Sequence, residues 1–215
     1  MKKNFLVIGM GRFGEHLSLH LAKLGNDVMI VDQNEEIINR LAGFVTCAQA
    51  GDCKNEEVLR SLSVNEFDMC FVCIGSDFQS SLEITSLLKE LGAKRVVSKA
   101  TTRIQEKFLL RNGADEVVYP EKDLAQKLAV QYSGNNIFDY YRISGDLAVF
   151  EIAVPGGWIG KSIVEIDVRK KHDVNVLAVK RDGGVSLAGP ELSFAKGDHL
   201  LVLGTGERIN KLTKG

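Results

Sequence analysis

The chain has 215 residues, 45% of them hydrophobic, which is enough for one large domain or two unequal domains with apolar cores. Lys and Arg number 27 against 28 Asp and Glu, and the net charge of -1 argues against partners such as nucleic acid or an anionic lipid surface. No apolar run reaches about 18 residues, so we expect a soluble, cytoplasmic chain with neither a signal peptide nor a membrane span.

The first part of the chain, from Asn4 to about Leu128, alternates short apolar runs with amphipathic stretches. This alternation is typical of a parallel sheet covered by helices on both faces. We predict six strands, at residues 5–9, 27–32, 45–50, 69–75, 95–99 and 116–119. We predict helices after Gly11, from about Asn34, near Glu56, and at residues 80–91, 103–112 and 121–132. The expected fold is a Rossmann-like, doubly wound α/β domain.

The small polar residues Ser133-Gly134-Asn135-Asn136 break this periodicity and predict a domain boundary, with domains at residues 1–134 and 135–215. Beyond it, short alternating strands are predicted at residues 147–154, 174–180, 185–188 and 199–203. Helices are predicted at residues 163–172 and near residues 207–212. The second domain is therefore a small α+β unit, whose modest core would gain stability from docking or dimerisation.

A glycine pattern, Gly-x-Gly-x-x-Gly, directly follows the first predicted strand and opens the first helix. Gly9 permits the tight turn, Gly11 lets the backbone approach a phosphate, and Gly14 lets the helix pack closely on the sheet. Asp32 follows Gly9 by 23 residues, at the end of the second strand. A carboxylate at this spacing accepts hydrogen bonds from ribose hydroxyls and repels the 2′-phosphate of NADP. The pattern predicts a nucleotide whose phosphates lie at the amino end of the helix.

Arg12 stands in the first turn of the same predicted helix. A cation there interacts unfavourably with the helix dipole, at a cost of about 0.3–1 kcal/mol, so a nearby anion is expected to compensate its charge. A phosphate of a nucleotide in the same or a neighbouring subunit would serve. The alternative is a solvated arginine that points away from the site.

Three further strand ends point at the same crevice, because ligands of open α/β sheets bind beyond the carboxyl ends of the strands. Asp52 is placed to accept from an adenine amino group, Gly75 to give clearance to ribose and phosphate, and Lys99 to neutralise phosphate charge. Ordinary turn residues and a strand-end lysine account for them equally well.

Two other groups of residues invite a metal-binding interpretation. The four cysteines lie close together in sequence, at Cys47, Cys53, Cys70 and Cys73. The last two are three apart in a predicted strand and would point to opposite faces, so buried, reduced thiols are expected. His16 and His20 are four apart in a predicted helix, but the glutamate of a zincin motif is missing between them.

The strand-end motifs follow one another in a characteristic order. They are Val7-Ile8-Gly9-Met10-Gly11-Arg12-Phe13-Gly14, Val31-Asp32, Ala50-Gly51-Asp52, Val72-Cys73-Ile74-Gly75, Val96-Val97-Ser98-Lys99-Ala100, and Gly113-Ala114-Asp115 before Tyr119-Pro120-Glu121. This set resembles the RCK family, of the TrkA and KtrA type. The resemblance spans nearly the whole chain, including a second domain similar to the family's C-terminal module.

The resemblance implies a nucleotide-sensing regulatory subunit rather than an enzyme, one that exchanges ATP for ADP and gates a membrane potassium transporter of the KtrB or TrkH type. It also implies homodimers that assemble into an octameric ring at the inner face of the membrane. The arginine matching Arg12 would reach the terminal phosphate of a nucleotide across the dimer, and the glutamate matching Glu121 would help to hold a divalent cation. Taken alone, Glu121 is equally a helix-capping acid after Pro120.

The family's C-terminal module can bind a second ligand, which in some relatives is cyclic di-AMP at a dimer interface. Arg169 and Asn175 flank a predicted helix-to-strand turn and are the candidates. A solvated arginine and a turn asparagine explain them without a ligand.

The leading alternative is a small NAD-dependent oxidoreductase or a sensor of NAD(H), because the glycine pattern and Asp32 also suit NAD. The second domain offers only His172 and His199 as histidines, and neither belongs to a recognisable acid/base constellation. A regulatory role is therefore favoured over a catalytic one. A plain scaffold would leave the phosphate-binding turn without a use.

Overall fold

The computed structural model describes residues 2–133 and 136–213. The chain divides into two compact units, Met1–Glu121 and Lys122–Gly215. The predicted boundary between Gly134 and Asn135 lies outside the described residues.

The first unit contains a six-stranded parallel sheet in the order β3-β2-β1-β4-β5-β6. Its strands are β1 (Asn4–Ile8), β2 (Asp27–Asp32), β3 (Cys47–Ala50), β4 (Met69–Val72), β5 (Val96–Lys99) and β6 (Glu116–Val118). The strand order reverses between β1 and β4, which creates the crevice where doubly wound sheets bind ligands. This confirms the predicted α/β fold.

Helices connect these strands and cover both faces of the sheet. They are α1 (Arg12–Lys23), α2 (Glu35–Leu41), α3 (Glu56–Ser61), α4 (Phe78–Glu90) and α5 (Arg103–Arg111). A further helix, α6 (Pro120–Ser133), follows β6, and most of it belongs to the second unit. Successive residues of a strand face opposite ways, so Leu6 and Ile8 lie in one core and Val7 in the other. Cys70 and Cys73 are divided in the same way between the two cores.

The second unit, from Lys122 onwards, contains a five-stranded antiparallel sheet in the order β10-β9-β11-β8-β7. Its strands are β7 (Ile137–Ser144), β8 (Leu147–Ala153), β9 (Asn175–Arg181), β10 (Gly184–Leu187) and β11 (His199–Thr205). The helices α7 (Ile163–Ile166), α8 (Val168–His172) and α9 (Gly206–Thr213) accompany it. One face of the sheet carries the core, in which Phe150, Ile152 and Leu200 are buried.

The structure corrects several details of the sequence-based prediction. Strand β7 was not predicted, although it pairs along β8. The single helix expected at residues 163–172 is divided at Asp167, whose φ of 56° lies in the left-handed region. Gly43 lies inside the 3-10 turn Ala42–Phe44 and is not the C-cap of α2, which is Ala42. Cys47 is exposed rather than buried, whereas Cys53, Cys70 and Cys73 are buried, and all four thiols are free.

Candidate functional site

The turn between β1 and α1 requires glycine at two positions, at one because of its backbone conformation and at the other because there is no room for a Cβ. Gly9 has a φ of 93°, and a Cβ there would lie 2.9 Å from Cγ1 of Ile74. A Cβ on Gly14 would overlap the carbonyl oxygen of Gly9. These close contacts bring α1 against the carboxyl end of β1, as the glycine pattern predicts.

Gly11 has a different role, because a Cβ there would meet no atom within 4 Å. It is the N-cap of α1 and offers no side chain to accept from the first backbone N–H groups of the helix. By contrast, the side chains of Asn34, Asn55 and Asp77 cap α2, α3 and α4. The amino end of α1 therefore has backbone donors that a phosphate can accept from.

The carboxylate of Asp32 connects the glycine turn to the loop after β2. Its Oδ2 accepts a hydrogen bond of 2.5 Å from the backbone N–H of Met10, and its Oδ1 accepts one of 2.9 Å from that of Asn34. A carboxylate oxygen can accept more than one hydrogen bond, so capacity remains for ribose hydroxyls. Asp32 thus holds the turn in place and borders an open space beside it.

That space is a cavity of about 220 Å³ at the carboxyl ends of β1 to β4. Its apolar walls are Ile8, Val31, Ile74 and Ile84. Its polar lining is formed by Asp32, Gln33, Asp52, Ser76, Asp77 and Ser80. Apolar walls with a few convergent polar groups are the usual composition of a small-molecule site.

Asp52 lies on this cavity, as the sequence predicts, and its carboxylate remains partly exposed. Its Oδ1 accepts from the backbone N–H of Lys54 at 2.9 Å, which fixes the loop after β3. The ammonium of Lys54 lies 3.8 Å from the other carboxylate oxygen. Asp52 is therefore held in place with one oxygen only loosely paired.

The sequence did not single out Gln33 or Ser80 as site residues. Gln33 directly follows Asp32, and Ser80 lies in the first turn of α4, where its N–H and Oγ both donate to Asp77. These hydrogen bonds lower the pKa of Asp77. The sequence signal that could have identified Ser80 is the helix N-cap pattern, in which an acid, here Asp77, stands three residues before the serine.

Lys99, Phe13 and Gly75 form a second group at the end of β5. The ammonium of Lys99 lies 5.8 Å from the centre of the Phe13 ring. A Cβ on Gly75 would lie 3.5 Å from Nζ of Lys99. Lys99 also donates a hydrogen bond of 2.7 Å to Glu121, and only 12% of the Lys99 side chain is exposed. This hydrogen bond lowers the pKa of Glu121. The structure thus brings Lys99 and Glu121, two predicted site residues, into direct contact.

Arg12 lies exposed in the first turn of α1, and no described residue forms an ion pair with its guanidinium. Arg169 and Asn175, in the second unit, are exposed at α8 and at the start of β9. The roles proposed for these three residues stay predictions.

Metal-binding side chains are dispersed in the part of the chain that the structure describes, where no three His, Cys, Asp or Glu residues form a group fit for an ion. Nδ1 of His20 lies 2.8 Å from the backbone carbonyl oxygen of His16. The ring of His20 therefore contacts the helix backbone and not the ring of His16. Burial raises the pKa of Cys53, Cys70 and Cys73 to about 12. These thiols are therefore protonated and poor nucleophiles.

None of the helices in residues 2–133 and 136–213 has the length and apolar content that a membrane span requires.

Two protein families match this chain. The TrkA-N domain matches residues 5–120 and the TrkA-C domain matches residues 147–214. Among characterised proteins, Ktr system potassium uptake protein C of Bacillus subtilis is 35% identical over 216 residues, covering 100% of this chain and 97% of that protein. Ktr system potassium uptake protein A of the same organism is 34% identical over 210 residues, covering 97% of this chain and 95% of that protein.

Solved structures share the fold. The GsuK channel bound to NAD superposes with a TM-score of 0.69 at 17% identity, over 100% of this chain and 40% of that one. GsuK bound to ADP superposes with a TM-score of 0.51 at 16% identity, over 59% of this chain and 33% of that one. The chain therefore spans less than half the length of these structures, and at this identity the likeness concerns the fold alone.

Proposed function

We propose that the chain, which belongs to the RCK family of TrkA-N and TrkA-C domain proteins, is a regulatory component of potassium uptake and acts by sensing ATP against ADP. The observation that carries the proposal is the open amino end of α1 at Gly11, next to the Asp32 carboxylate. Two functions of a nucleotide site, phosphate binding and ribose binding, are thereby available side by side.

In this proposal the phosphates accept from the backbone at the start of α1, where the helix dipole favours negative charge. The ribose hydroxyls donate to Asp32, and the adenine amino group donates to Asp52 across the cavity. The apolar walls formed by Ile74 and Ile84 contact the base. This arrangement accounts for the diphosphate part that ATP and ADP share.

Discrimination between the two nucleotides needs a cation for the terminal phosphate. Arg12 is the first candidate, because it opposes the dipole of α1 and has no carboxylate partner among the described residues. In a homodimer it would reach the nucleotide of the neighbouring subunit. Lys99 is the second candidate, since it is largely shielded from solvent beside Gly75.

Glu121 is the candidate to hold a divalent cation near the phosphates. In this structure Glu121 is paired with Lys99, and a nucleotide phosphate that attracts this lysine would free the carboxylate for the cation.

In the second unit, Arg169 and Asn175 are the candidates for a second ligand such as cyclic di-AMP.

The assembly that we propose is a ring of eight subunits built from homodimers. It would act at the inner face of the membrane through a KtrB- or TrkH-like transporter subunit. Full-length similarity to two Ktr potassium uptake proteins supports the partner.

A second candidate is a regulator that senses NAD(H). The observation in its favour is that a GsuK channel with this fold is described as bound to NAD. Asp32 serves the ribose of either ligand, so the glycine turn does not discriminate between them. We propose a regulator rather than an oxidoreductase in both cases.

Calorimetry of the purified full chain with ATP, ADP and NADH tests the choice. We expect sub-millimolar binding of ATP and ADP. Binding of NADH alone, together with dehydrogenase turnover, would overturn the proposal.

A further inference from the structure

A second cavity lies in the second unit, beside the 3-10 turn Gly156–Trp158, and has a volume of about 370 Å³. The basic residues of two helices meet there: Lys171 and His172 at the end of α8, and Arg208 and Lys211 in α9. Among the described residues that line this cavity, none is acidic. The cavity therefore concentrates positive charge in a chain whose net charge is -1.

Nearby carboxylates compensate this charge only in part. Asp173 lies 3.4 Å from Nε of Arg208, but 76% of its side chain is exposed. Glu207 pairs with Lys211 at 2.6 Å, and both side chains are well exposed. Exposed pairs of this kind contribute about 0–1 kcal/mol each. The ammonium of Lys171 has no ion-pair partner among the described residues.

Helix geometry explains some of the basic residues and leaves one unexplained. Lys171 and His172 lie in the last turn of α8, where the helix dipole favours cations. Arg208 lies in the first turn of α9, where the dipole disfavours a cation by about 0.3–1 kcal/mol. An anion in the cavity would interact favourably with Arg208 as well as with the lysines.

The wall of the cavity is held by the core of the second unit. Trp158 is buried, and its ring stacks on Phe194 with centroids 5.6 Å apart. The ring of His172 lies 5.2 Å from that of Trp158. A Cβ on Gly157 would meet no atom within 4 Å, so this part of the wall presents bare backbone to the cavity. The basic groups thus surround a fixed surface.

We infer that this cavity binds a small anion that carries phosphate groups. The guanidinium of Arg208 offers paired donors to phosphate oxygens, and the lysines supply point charges. A volume of about 370 Å³ lies within the range of about 300–1,000 Å³ for small-molecule sites and exceeds the need of one phosphate. The site is distinct from Arg169 and Asn175, which do not line it, and does not depend on the proposed nucleotide site.

The test uses the single tryptophan of the sequence, Trp158, because it lines this cavity and the first unit contains none. Titration of the full chain with inorganic pyrophosphate is expected to give a saturable change in tryptophan fluorescence that weakens at high salt. The double variant Lys171→Ala, Arg208→Ala is expected to bind at least about tenfold more weakly, which corresponds to about 1.4 kcal/mol.

Matched variants separate this site from its surroundings. The charge-preserving variant Lys171→Arg is expected to retain most of the affinity, because Lys171 acts as a point charge. The variant Lys170→Ala changes an exposed cation of the same helix that does not line the cavity, so wild-type affinity is expected. A double variant that binds pyrophosphate like the wild type, or affinity lost equally with Lys170→Ala, would overturn the inference.

Sedimentation with phosphatidylglycerol vesicles identifies the source of the phosphate. Binding to pyrophosphate without binding to vesicles indicates a soluble metabolite, and vesicle binding that requires Lys171 and Arg208 indicates a lipid headgroup. Phosphatidylcholine vesicles are the control. Absence of binding to both pyrophosphate and anionic vesicles would overturn the inference.

Discussion

Lys99 donates a hydrogen bond from Nζ to Oε1 of Glu121, across 2.7 Å. Lys99 ends β5, and Glu121 lies in the first turn of α6, most of which belongs to the second unit. A phosphate that attracts Lys99 would therefore change the charge balance at the start of this helix. The pair therefore joins the end of β5 to the start of α6.

Replacing this lysine with an apolar side chain should uncouple the pair. In Lys99→Met the carboxyl of Glu121 loses its main hydrogen bond, so its pKa is expected to rise toward the ordinary value of 4.5. ATP binding is expected to weaken about tenfold because a phosphate partner is lost. NMR titration and calorimetry measure the two effects, with the exposed Lys94→Met as the control. An unchanged pKa of Glu121 would contradict the pairing.

Loss of the Asp32 charge should weaken the binding of ATP and of ADP to the same extent. Asp32→Asn removes a charged acceptor from the Met10 N–H and from the ribose, at a cost of about 1.5–3 kcal/mol, or roughly 10- to 150-fold in affinity. Asp68→Asn is a matched control, because Asp68 accepts from the backbone N–H of Asn4. A larger loss for ATP than for ADP would place Asp32 at the terminal phosphate instead.

Two glycines of the same turn should respond in opposite ways to alanine. A Cβ at Gly14 overlaps the carbonyl of Gly9, so Gly14→Ala is expected to destabilise the first unit by about 1–3 kcal/mol. Gly11→Ala meets no atom and is expected to keep the stability within about 1 kcal/mol while weakening nucleotide binding. Urea unfolding and calorimetry distinguish them. A folded Gly11→Ala variant with full affinity would exclude phosphate from this turn.

Arg12→Ala should reduce the discrimination between ATP and ADP more than it reduces nucleotide binding as a whole. If Arg12 contacts only the terminal phosphate, its removal lowers the affinity for ATP and leaves that for ADP nearly unchanged. Relief of the unfavourable dipole contact would at the same time stabilise the unliganded chain by about 0.3–1 kcal/mol. Calorimetry with both nucleotides gives the ratio of affinities. Equal losses for ATP and ADP would remove the assigned role.

The second unit should lose stability in acid through one carboxylate. Asp198 is 1% exposed and accepts two hydrogen bonds of 2.7 Å from the guanidinium of Arg181, and these lower its pKa below 3.8. Its contribution is present above the ordinary pKa and is lost as pH falls through the folded-state pKa. Asp198→Asn is expected to destabilise the unit by about 1–3 kcal/mol at neutral pH and by less near about pH 3.

Urea unfolding followed by the fluorescence of Trp158 measures this effect in the second unit. Asp146→Asn changes an exposed acid of the same unit and serves as the control. An equal loss of stability at both pH values would show that packing, and not charge, is responsible.

The parallel sheet was predictable because several strands are short, mainly apolar runs and the glycine turn follows the first one. Strand β7 was harder to recognise, because Asp139 and Arg142 interrupt its apolar residues and because register irregularities break its pairing with β8. The break at Asp167 depends on one left-handed residue, for which the sequence offers only a weak signal.

The candidate site likewise has a part that the sequence predicts and a part that it does not. Gly9, Gly14 and Asp32 follow from local pattern, since their roles depend on neighbours in the first two strands. The contact between Lys99 and Glu121 joins residues 22 apart on different elements, and the cavity beside Trp158 assembles three segments of the second unit. Such arrangements arise from tertiary packing, which spacing along the chain does not encode.

Potassium flux through a Ktr- or Trk-type transporter, reconstituted in vesicles with this chain, tests the central claim most directly. We expect different flux when the chain is loaded with ATP and with ADP, and no difference with the Asp32→Asn variant. Equal flux with ATP, with ADP and without nucleotide would contradict the proposal that this chain senses adenine nucleotides to regulate potassium uptake.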